Sequence, residues 1–331
     1  MSRMRVLSAT ALWVAAIIGL CAQARVPDTP DSLVSAAKRA AGGDYSGTFL
    51  RICVAPDNLA SAGPRGAGPG PGVVPERASW YAKPYKVFDN LYFVGTRIHS
   101  AWALTTSDGI IVIDTLFDYA IEPEIVEGLT ALGLDPRSIK YVLISHAHGD
   151  HDQGAALLQR RYGAKIVMGA ADWESTLQRP STAPGGVPTR DVVVGPGGLK
   201  LKLGDTTVDV IATPGHTPGT LSYFFPVKDG GRTLMVAYAG GTAFNFPRRP
   251  ENFAVYRDSQ RKMTEVAAAA GASVLMTNHT EFDRAFDRVR LAQLPRAAGE
   301  KHPYETDTAT VLRYFEMSAD CAEAQRLLST R

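Results

Sequence analysis

The sequence predicts an α/β (α+β) protein in which two mixed sheets pack together with helices outside them, a four-layer αβ/βα sandwich. Two observations support this fold class. Short apolar, β-branched runs dominate the first part of the chain and recur in the middle, and helical patterns follow each group. The chain also has 331 residues, of which 45% are hydrophobic, enough for one large domain or two small ones.

The individual elements follow from periodicity and from turn residues. Strands are predicted where short apolar runs are bounded by Gly, Pro, Asn, Asp or Ser, at about 87–94, 101–106, 109–114, 141–145, 164–168, 199–203, 206–212, 219–226, 233–238 and 273–277. Helices are predicted where apolar residues recur at helical spacing, at about 31–41, 121–132, 153–162, 170–177, 252–270, 281–294 and 307–328. Residues 179–198 are predicted to form a loop because they contain several Pro and Gly residues.

Residues 1–24 are predicted to be a cleaved signal peptide. A basic start precedes an apolar run, Leu7 to Leu20, which is too short for a typical membrane span. Ala22-Gln23-Ala24 then forms a small-x-small cleavage site. We therefore expect a periplasmic or secreted protein without a stable membrane anchor after cleavage; an uncleaved anchor and a lipoprotein at Cys21 are the alternatives.

The mature chain is predicted to have two parts. Residues 25–77 form an N-terminal extension with a flexible Gly/Pro-rich segment, and residues 78–331 form the compact domain. Two cysteines remain after cleavage, Cys53 and Cys321, and an oxidising compartment would allow a disulfide between them. Two buried free thiols are the alternative.

Composition excludes one class of partner and leaves assembly open. The formal net charge is +2, and the chain has no basic run and no interleaving of aromatic and basic residues. We therefore expect no nucleic-acid partner. The sequence does not indicate an oligomeric state. The expected partner is a small-molecule substrate.

The strongest chemical signal is the motif Ser145-His-Ala-His-Gly-Asp-His-Asp-Gln-Gly154. It places His146, His148, Asp150 and His151 within six residues, between a predicted strand and a predicted helix. A loop at a strand end can direct side chains to one point, and imidazole and carboxylate together suit zinc or a similar first-row metal. These residues can serve two ions as well as one.

Two further histidines stand in similar positions. His216 lies in Thr213-Pro-Gly-His-Thr-Pro-Gly219, directly after a predicted strand, and His279 also follows a strand. Three strand ends that each deliver histidine predict one convergent site. The chain has seven histidines, and the other two, His99 and His302, have no motif context, so we expect them to be polar surface residues.

These residues resemble the metallo-β-lactamase superfamily, over about residues 78 to 295. Within it the chain looks most like the subclass B3 β-lactamases. That resemblance implies the metallo-β-lactamase fold and two Zn²⁺ ions per chain, with the first held by His146, His148 and His216 and the second by Asp150, His151 and His279. It also implies that Asp150 orients the attacking hydroxide. Asp114 matches the buried acidic position of the superfamily, and a carboxylate there can accept an imidazole N–H and fix its tautomer.

One segment bears on the substrate. Many superfamily hydrolases, such as glyoxalase II and RNase Z, have a Gly-Asp-Thr-like segment whose Asp bridges both metals, whereas Gly241 stands in that place here. Subclass B3 enzymes also lack a bridging carboxylate. They often carry serines in this segment that help hold the substrate carboxylate, whereas Thr242 is the only hydroxyl residue in the segment here. The residues expected to contact the substrate are therefore Thr242, Phe244, Asn245 and Thr280.

The function that the resemblance implies is an exported di-zinc hydrolase of the subclass B3 type. It would open the amide of a β-lactam, and so confer antibiotic resistance, by means of a zinc-bound hydroxide. The alternative is a hydrolase of the same fold that acts on a lactone, an ester or another amide with little β-lactamase activity. A metal-binding protein without catalysis and a flavin-linked diiron oxidoreductase are further alternatives.

Overall fold

A computed structural model describes residues 28–54, 74–179 and 185–330. The predicted signal peptide and most of the Gly/Pro-rich segment therefore lie outside the described residues. The strands are β1 (Tyr85–Phe88), β2 (Leu91–Phe93), β3 (Trp102–Thr106), β4 (Gly109–Ile113), β5 (Ile139–Leu143), β6 (Lys165–Gly169), β7 (Val192–Val194), β8 (Leu199–Leu203), β9 (Thr206–Ala212), β10 (Leu221–Asp229), β11 (Arg232–Ala239) and β12 (Val274–Thr277).

Helices occur before, between and after these strands. They are α1 (Pro30–Ala41), α2 (Ser46–Ile52), α3 (Arg77–Trp80), α4 (Asp118–Ala120), α5 (Glu127–Ala131), α6 (Gly149–Asp152), α7 (Ala155–Tyr162), α8 (Ala170–Gln178), α9 (Pro250–Ala270), α10 (Thr280–Asp283), α11 (Ala285–Leu291) and α12 (Thr308–Leu328). A π-helical turn, Ile121–Val126, joins α4 to α5. Within the described ranges, no helix has both the length and the hydropathy that a membrane span requires.

The strands form two mixed sheets. The first has seven strands in the order β1-β2-β3-β4-β5-β6-β7, and the second has five in the order β12-β11-β10-β9-β8. Strands β4, β5, β6 and β7 run parallel, so their carboxyl ends share one edge. In the second sheet, β11 and β12 are parallel, which brings the end of β12 to the same region as the end of β11.

The core has the predicted layers. A buried cluster between the sheets includes Trp102, Leu143, Tyr223 and Phe225. Two further clusters lie on the outer faces, where helices cover each sheet. Helices α4, α5, α7 and α8 contribute to the cluster on the first sheet, and α1, α2, α9 and α12 to the cluster on the second. The predicted four-layer sandwich is therefore confirmed.

Local sequence signals explain the second sheet and its covering helices. Gly230 and Gly231 form the two-residue turn between β10 and β11, and their φ values of 57° and 88° suit glycine. Helix α9 has Pro250 in its first turn and ends at Gly271, which has φ 60°. At the start of α12, the Asp307 carboxylate accepts a hydrogen bond from the Thr310 amide at 2.7 Å.

The described part of the predicted extension packs on the core. Helices α1 and α2 lie against α12, and the Tyr45 ring contacts that of Tyr314 edge-to-face at 5.3 Å. Cys53 and Cys321 form a disulfide, with a Cα–Cα distance of 5.0 Å. The predicted boundary near residue 78 therefore does not separate residues 30–53 from the compact fold, because these helices bury apolar side chains against it.

Three of the differences from the predicted elements have identifiable reasons. The run 87–94 is interrupted by a turn, because the buried Asn90 side chain accepts a hydrogen bond from the Lys228 amide. The loop 179–198 contains β7, a three-residue strand paired with β6. The helix predicted at 281–294 is broken at Arg284, which has φ 59°.

Candidate metal centre

The three loops predicted to carry ligands meet at one edge of the fold. The loop after β5 leads through the predicted motif into α6, the loop between β9 and β10 carries His216, and the residue two places after β12 is His279. A hydrogen bond from the Leu221 amide to the Ser145 carbonyl oxygen, at 2.8 Å, joins the sheets beside this point. The parallel strands and the packing of the two sheets thus bring together residues far apart in the sequence.

Three imidazoles form the first group of donors. His146 Nε2 lies 3.1 Å from His216 Nε2, which in turn lies 3.2 Å from His148 Nδ1. The side-chain donor atoms of all three residues lie within 4.8 Å of one another. Burial lowers the pKa of His148 to about 4 and that of His216 to about 3, so both rings are neutral at pH 7 and present lone pairs.

Two imidazoles and a carboxylate form the second group. Asp150 Oδ2 lies 3.2 Å from His151 Nε2 and 3.3 Å from His279 Nε2, and the two nitrogens are 3.3 Å apart. The rings of His146 and His151, with centroids 4.3 Å apart, connect this group to the first. The structure thus brings all six predicted ligands together, in the two sets that the resemblance implies.

Hydrogen bonds on the outer side of the rings fix which nitrogen faces inward. His146 Nδ1 donates to the Gly240 carbonyl oxygen at 2.9 Å, and His216 Nδ1 donates to that of Ala243 at 2.7 Å. Both rings therefore direct an unprotonated Nε2 at the centre. Unprotonated nitrogens 3.1 Å apart repel each other unless a cation lies between them. The donor set therefore fits a pair of metal ions.

Asp114 lies beneath the motif and holds one ligand directly. Its Oδ2 accepts hydrogen bonds from His151 Nδ1 at 2.9 Å, from the Ser145 hydroxyl at 2.8 Å and from the Tyr238 hydroxyl at 3.1 Å. Its Oδ1 accepts one from the Ser145 amide at 2.7 Å. Asp114 is fully buried at φ 60°, a conformation uncommon outside glycine. This dense set of contacts agrees with the supporting role predicted for it.

Asp172 connects the two loops that carry the first group, a role that sequence reasoning missed. Its Oδ2 accepts hydrogen bonds from the Ala147 amide at 2.8 Å and the Thr217 hydroxyl at 2.7 Å, and its Oδ1 accepts one from the Gly219 amide at 2.9 Å. It is fully buried in the first turn of α8. Its place in an ordinary helical pattern gave no signal of this function.

Two other supporting residues were also missed. Asn278 donates from Nδ2 to the Gly240 carbonyl oxygen at 2.9 Å and so helps hold the group that fixes His146. Its position directly before His279 was the only signal in the sequence. Tyr238 contacts Asp114 from the end of β11, where it looks like any other apolar strand residue.

The segment after β11 leaves no space for an acid at position 241. A Cβ atom on Gly241 would lie 2.5 Å from His216 Cβ and 3.0 Å from Thr220 Cγ2. Both neighbours belong to the loop that carries a predicted ligand. A bridging aspartate at this position would therefore require that loop to move.

Two of the predicted substrate contacts have other partners, which corrects that prediction. The Thr242 hydroxyl is buried and donates to Asn278 Oδ1 at 3.1 Å. The Thr280 hydroxyl is buried and donates to the Arg97 carbonyl oxygen at 2.6 Å. Neither proton is free for a substrate carboxylate. Phe244 and Asn245 are partly exposed, and the Phe244 ring packs on that of Tyr256 at 5.1 Å.

The expectation that His99 and His302 are surface residues is wrong. His302 is 3% exposed, stacks on the Phe88 ring at 3.9 Å and donates from Nε2 to the Val87 carbonyl oxygen at 2.9 Å. His99 is 9% exposed and lies beside the second group, with its Nε2 3.5 Å from Asp150 Oδ2. Neither residue has a sequence motif, so only the tertiary structure reveals these positions.

The fold and the two donor groups define a class of metal-binding αβ/βα sandwich proteins, and the comparisons identify the family. The model of the metallo-β-lactamase superfamily matches residues 94–231. This match confirms the predicted resemblance to the metallo-β-lactamase superfamily.

Among solved structures, the fold is similar to that of subclass B3 metallo-β-lactamases. BJP-1 of Bradyrhizobium japonicum, a subclass B3 enzyme, is 27% identical with a TM-score of 0.56, over 72% of this chain and 92% of that one. The metallo-β-lactamase MIM-1 of Novosphingobium pentaromativorans is 24% identical with a TM-score of 0.60, over 76% of this chain and 93% of that one, a likeness of fold alone.

By sequence, the chain is also similar to hydroxyacylglutathione hydrolases. That of Mesorhizobium japonicum is 30% identical over 154 residues, which are 46% of this chain and 53% of the relative. That of Acidiphilium cryptum is 38% identical over 87 residues, which are 26% of this chain and 31% of the relative. The chain thus spans about half the length, or less, of these relatives.

Proposed function

We propose that the protein is an exported di-zinc hydrolase that opens the amide bond of β-lactams. His146, His148 and His216 would hold one ion, and Asp150, His151 and His279 the other. Two zinc ions supply a nucleophilic hydroxide at neutral pH and polarise a carbonyl group. The three-imidazole set and the set of two imidazoles and one carboxylate are both ligand combinations that zinc uses.

Residues of the chain would orient the attacking water and hold the metal ligands in place. Asp150 Oδ1 is buried and has no hydrogen-bond partner among the described residues, so it can accept a hydrogen bond from the attacking water and orient it. Its partner oxygen, Oδ2, faces His151 and His279. Asp114, through its bond to His151 Nδ1, prevents that ring from turning away. The carboxylate of Asp150 thus combines ligand binding with orientation.

The observation that carries the proposal is the packing of Gly241 against His216. It leaves the two donor groups without a carboxylate at the place where a bridging acid would stand, the arrangement that the resemblance associates with subclass B3. The structural similarity to BJP-1, which extends over 92% of that chain, supports the same class. Because the Thr242 and Thr280 hydroxyls already donate to acceptors within the protein, we expect main-chain amides to bind the substrate carboxylate.

A second candidate is hydrolysis of an acylglutathione thioester. The sequence similarity to hydroxyacylglutathione hydrolases favours it. The same pair of ions and the same hydroxide serve a thioester as well as a lactam, so the metal centre alone does not separate the two.

The deciding experiment is turnover of a panel of substrates by the zinc-loaded mature protein. The panel contains a carbapenem, a cephalosporin, a lactone and an acylglutathione thioester. We expect β-lactam turnover to exceed thioester turnover. Robust thioester or lactone turnover without any β-lactam turnover would sink the first candidate and leave the hydrolase fold intact.

Two variants test the assignment of residues. His148→Ala and Asp150→Ala should each remove most activity, because each deletes a donor. Asp209→Asn, which changes a partly exposed carboxylate paired with Lys200 at 2.6 Å on the second sheet, is the control and should retain full activity. Full activity in the Asp150 variant would contradict the proposed orientation of the nucleophile.

Export is proposed on separate grounds. The disulfide between Cys53 and Cys321 suits an oxidising compartment, and the first 24 residues have the composition of a signal peptide. Amino-terminal sequencing of the protein purified from a periplasmic fraction should begin at Arg25. A product found with the intact leader in the cytoplasm would contradict export.

A further inference from the structure

A seventh side chain of a type that can bind metal, that of His99, lies at the second donor group. Neither the motif nor the resemblance includes it. His99 Nε2 lies 3.5 Å from Asp150 Oδ2. The donor atoms of His99, Asp150 and His279 all lie within 4.8 Å of one another. Three imidazoles, those of His99, His151 and His279, thus surround one carboxylate oxygen.

The distances from the three imidazoles to the Asp150 carboxylate oxygen match those between ligands of a single ion. Zinc binds imidazole nitrogen at about 2.0–2.1 Å, so tetrahedral donors lie about 3.3–3.5 Å from one another. The nitrogens of His151, His279 and His99 lie 3.2, 3.3 and 3.5 Å from Asp150 Oδ2, respectively. His99 therefore approaches the carboxylate oxygen nearly as closely as the two predicted ligands do.

The backbone holds His99 in this position. It forms an isolated antiparallel bridge with His279. On either side, the Ser100 amide donates to the Asn278 carbonyl oxygen and the Thr280 amide donates to that of Ile98, both at 2.9 Å. The segment before β3 is thus fastened to the loop that carries a predicted ligand.

The His99 side chain has few other contacts that would account for its burial. Its ring lies edge-on to the Phe117 ring at 5.2 Å and to the His279 ring at 5.1 Å. Its Nδ1 is buried without a hydrogen-bond partner among the described residues. The Nε2 atom faces Asp150 Oδ2, and a metal ion bound by Nε2 would offset part of the cost of burying this ring.

We propose that His99 is a fourth protein ligand of the second metal ion, together with Asp150, His151 and His279. The inference rests on the proposed function, because it requires that the two donor groups bind metal. With four protein donors, the second position would resemble closed structural sites, whereas three donors leave the first position open. The second position should therefore bind metal first and more tightly, and the open first position should be where substrate is polarised.

The direct test needs no substitution in the ligand set. The mature protein, labelled with ¹⁵N in histidine, is loaded with two equivalents of ¹¹³Cd²⁺, and scalar coupling between cadmium and the imidazole nitrogens is measured by NMR. Coupling to Nε2 of His99, in addition to that of His151 and His279, is the expected result. Coupling at those two without any at His99 would overturn the inference.

A substitution measures the contribution of His99. In His99→Leu, the affinity of the second position for Zn²⁺ should fall by more than about 100-fold, which is the upper end of the losses seen when a residue that only supports a ligand is removed. The affinity of the first position should stay unchanged. Phe117→Leu is the matched control, since it loosens the packing against His99 without removing a donor, and both its affinities should remain close to those of the unaltered protein.

The outcomes also separate this inference from the proposed function. If the unaltered protein binds no metal at either position, the proposed function fails with it. If it binds two equivalents and His99→Leu binds both with unchanged affinity, only the ligand role of His99 is refuted. Circular dichroism of the metal-free variants verifies folding, and the cadmium experiment stands even if His99→Leu does not fold.

Discussion

Removal of the Asp172 carboxylate should destabilise the protein and loosen the first donor group. In Asp172→Ala, two buried amides and one hydroxyl lose their acceptor, at distances of 2.7 to 2.9 Å in the structure. Each unsatisfied buried donor costs about 1–3 kcal/mol, so the three together cost about 3–9 kcal/mol. Burial raises the pKa of this carboxyl, and its desolvation offsets part of that sum, so we expect a loss of about 3–5 kcal/mol.

Urea denaturation of the metal-free protein, followed by far-ultraviolet circular dichroism, measures this loss without the stabilising effect of bound metal. Asp172→Asn keeps one acceptor oxygen and should lose about half as much. Glu174→Gln, on the same helix, changes a side chain that is 59% exposed and should have little effect. If Asp172→Ala unfolds within about 1 kcal/mol of the unaltered protein, its carboxylate does not hold the two loops together.

Three further predictions concern other parts of the molecule. Asp114→Asn should weaken Zn²⁺ binding at the second donor group about 10- to 100-fold, because His151 loses the partner that fixes its tautomer. Competition with a chelator measures this affinity, and an unchanged affinity would contradict the prediction. Burial raises the pKa of Glu124 to about 8, above its unfolded value of about 4.3, so the free energy of unfolding should fall as the pH rises from about 5 to 8. Glu124→Gln should remove this pH dependence in denaturation curves measured across that range. An identical pH dependence in the variant would refute the assignment. Cys53→Ser should lower the free energy of unfolding by about 2–5 kcal/mol, since the disulfide spans 268 residues, and a variant as stable as the unaltered protein would show that the disulfide is not formed in solution.

The metal-ligand groups could be predicted from the sequence because their signal is local. Spacing in the motif after β5 is a property of one loop, and His216 and His279 each follow a strand whose apolar pattern is clear. Residues that follow strand ends can converge at one point of a fold, and three strand ends here each deliver histidine. The sequence could therefore predict one convergent site, whereas the packing of the two sheets that brings these loops together is seen only in the structure.

The supporting residues could not be predicted because their roles exist only in three dimensions. Asp172 lies 45 residues from Thr217, and the hydrogen bond between their side chains depends on how α8 sits against the β9–β10 loop. His99 precedes an ordinary strand, and its approach to Asp150 depends on pairing with His279. Nothing in the local pattern distinguishes these residues from a helix carboxylate and a surface imidazole.

The same limit explains the errors about substrate contacts and about the amino-terminal helices. Thr242 and Thr280 are close to the predicted ligands in the sequence. In the structure, however, their hydroxyls donate hydrogen bonds to acceptors within the protein. Helix α1 has a weakly hydrophobic sequence, and only its position against α12 shows that it belongs to the core.

The contact between Gly241 and His216 also constrains how the site could change in evolution. A single mutation that introduces aspartate at position 241 would place its Cβ 2.5 Å from His216 Cβ and displace a metal-binding loop before the new carboxylate could be used. A bridging acid at position 241 would therefore require coordinated changes in two loops, the one that contains Gly241 and the one that carries His216.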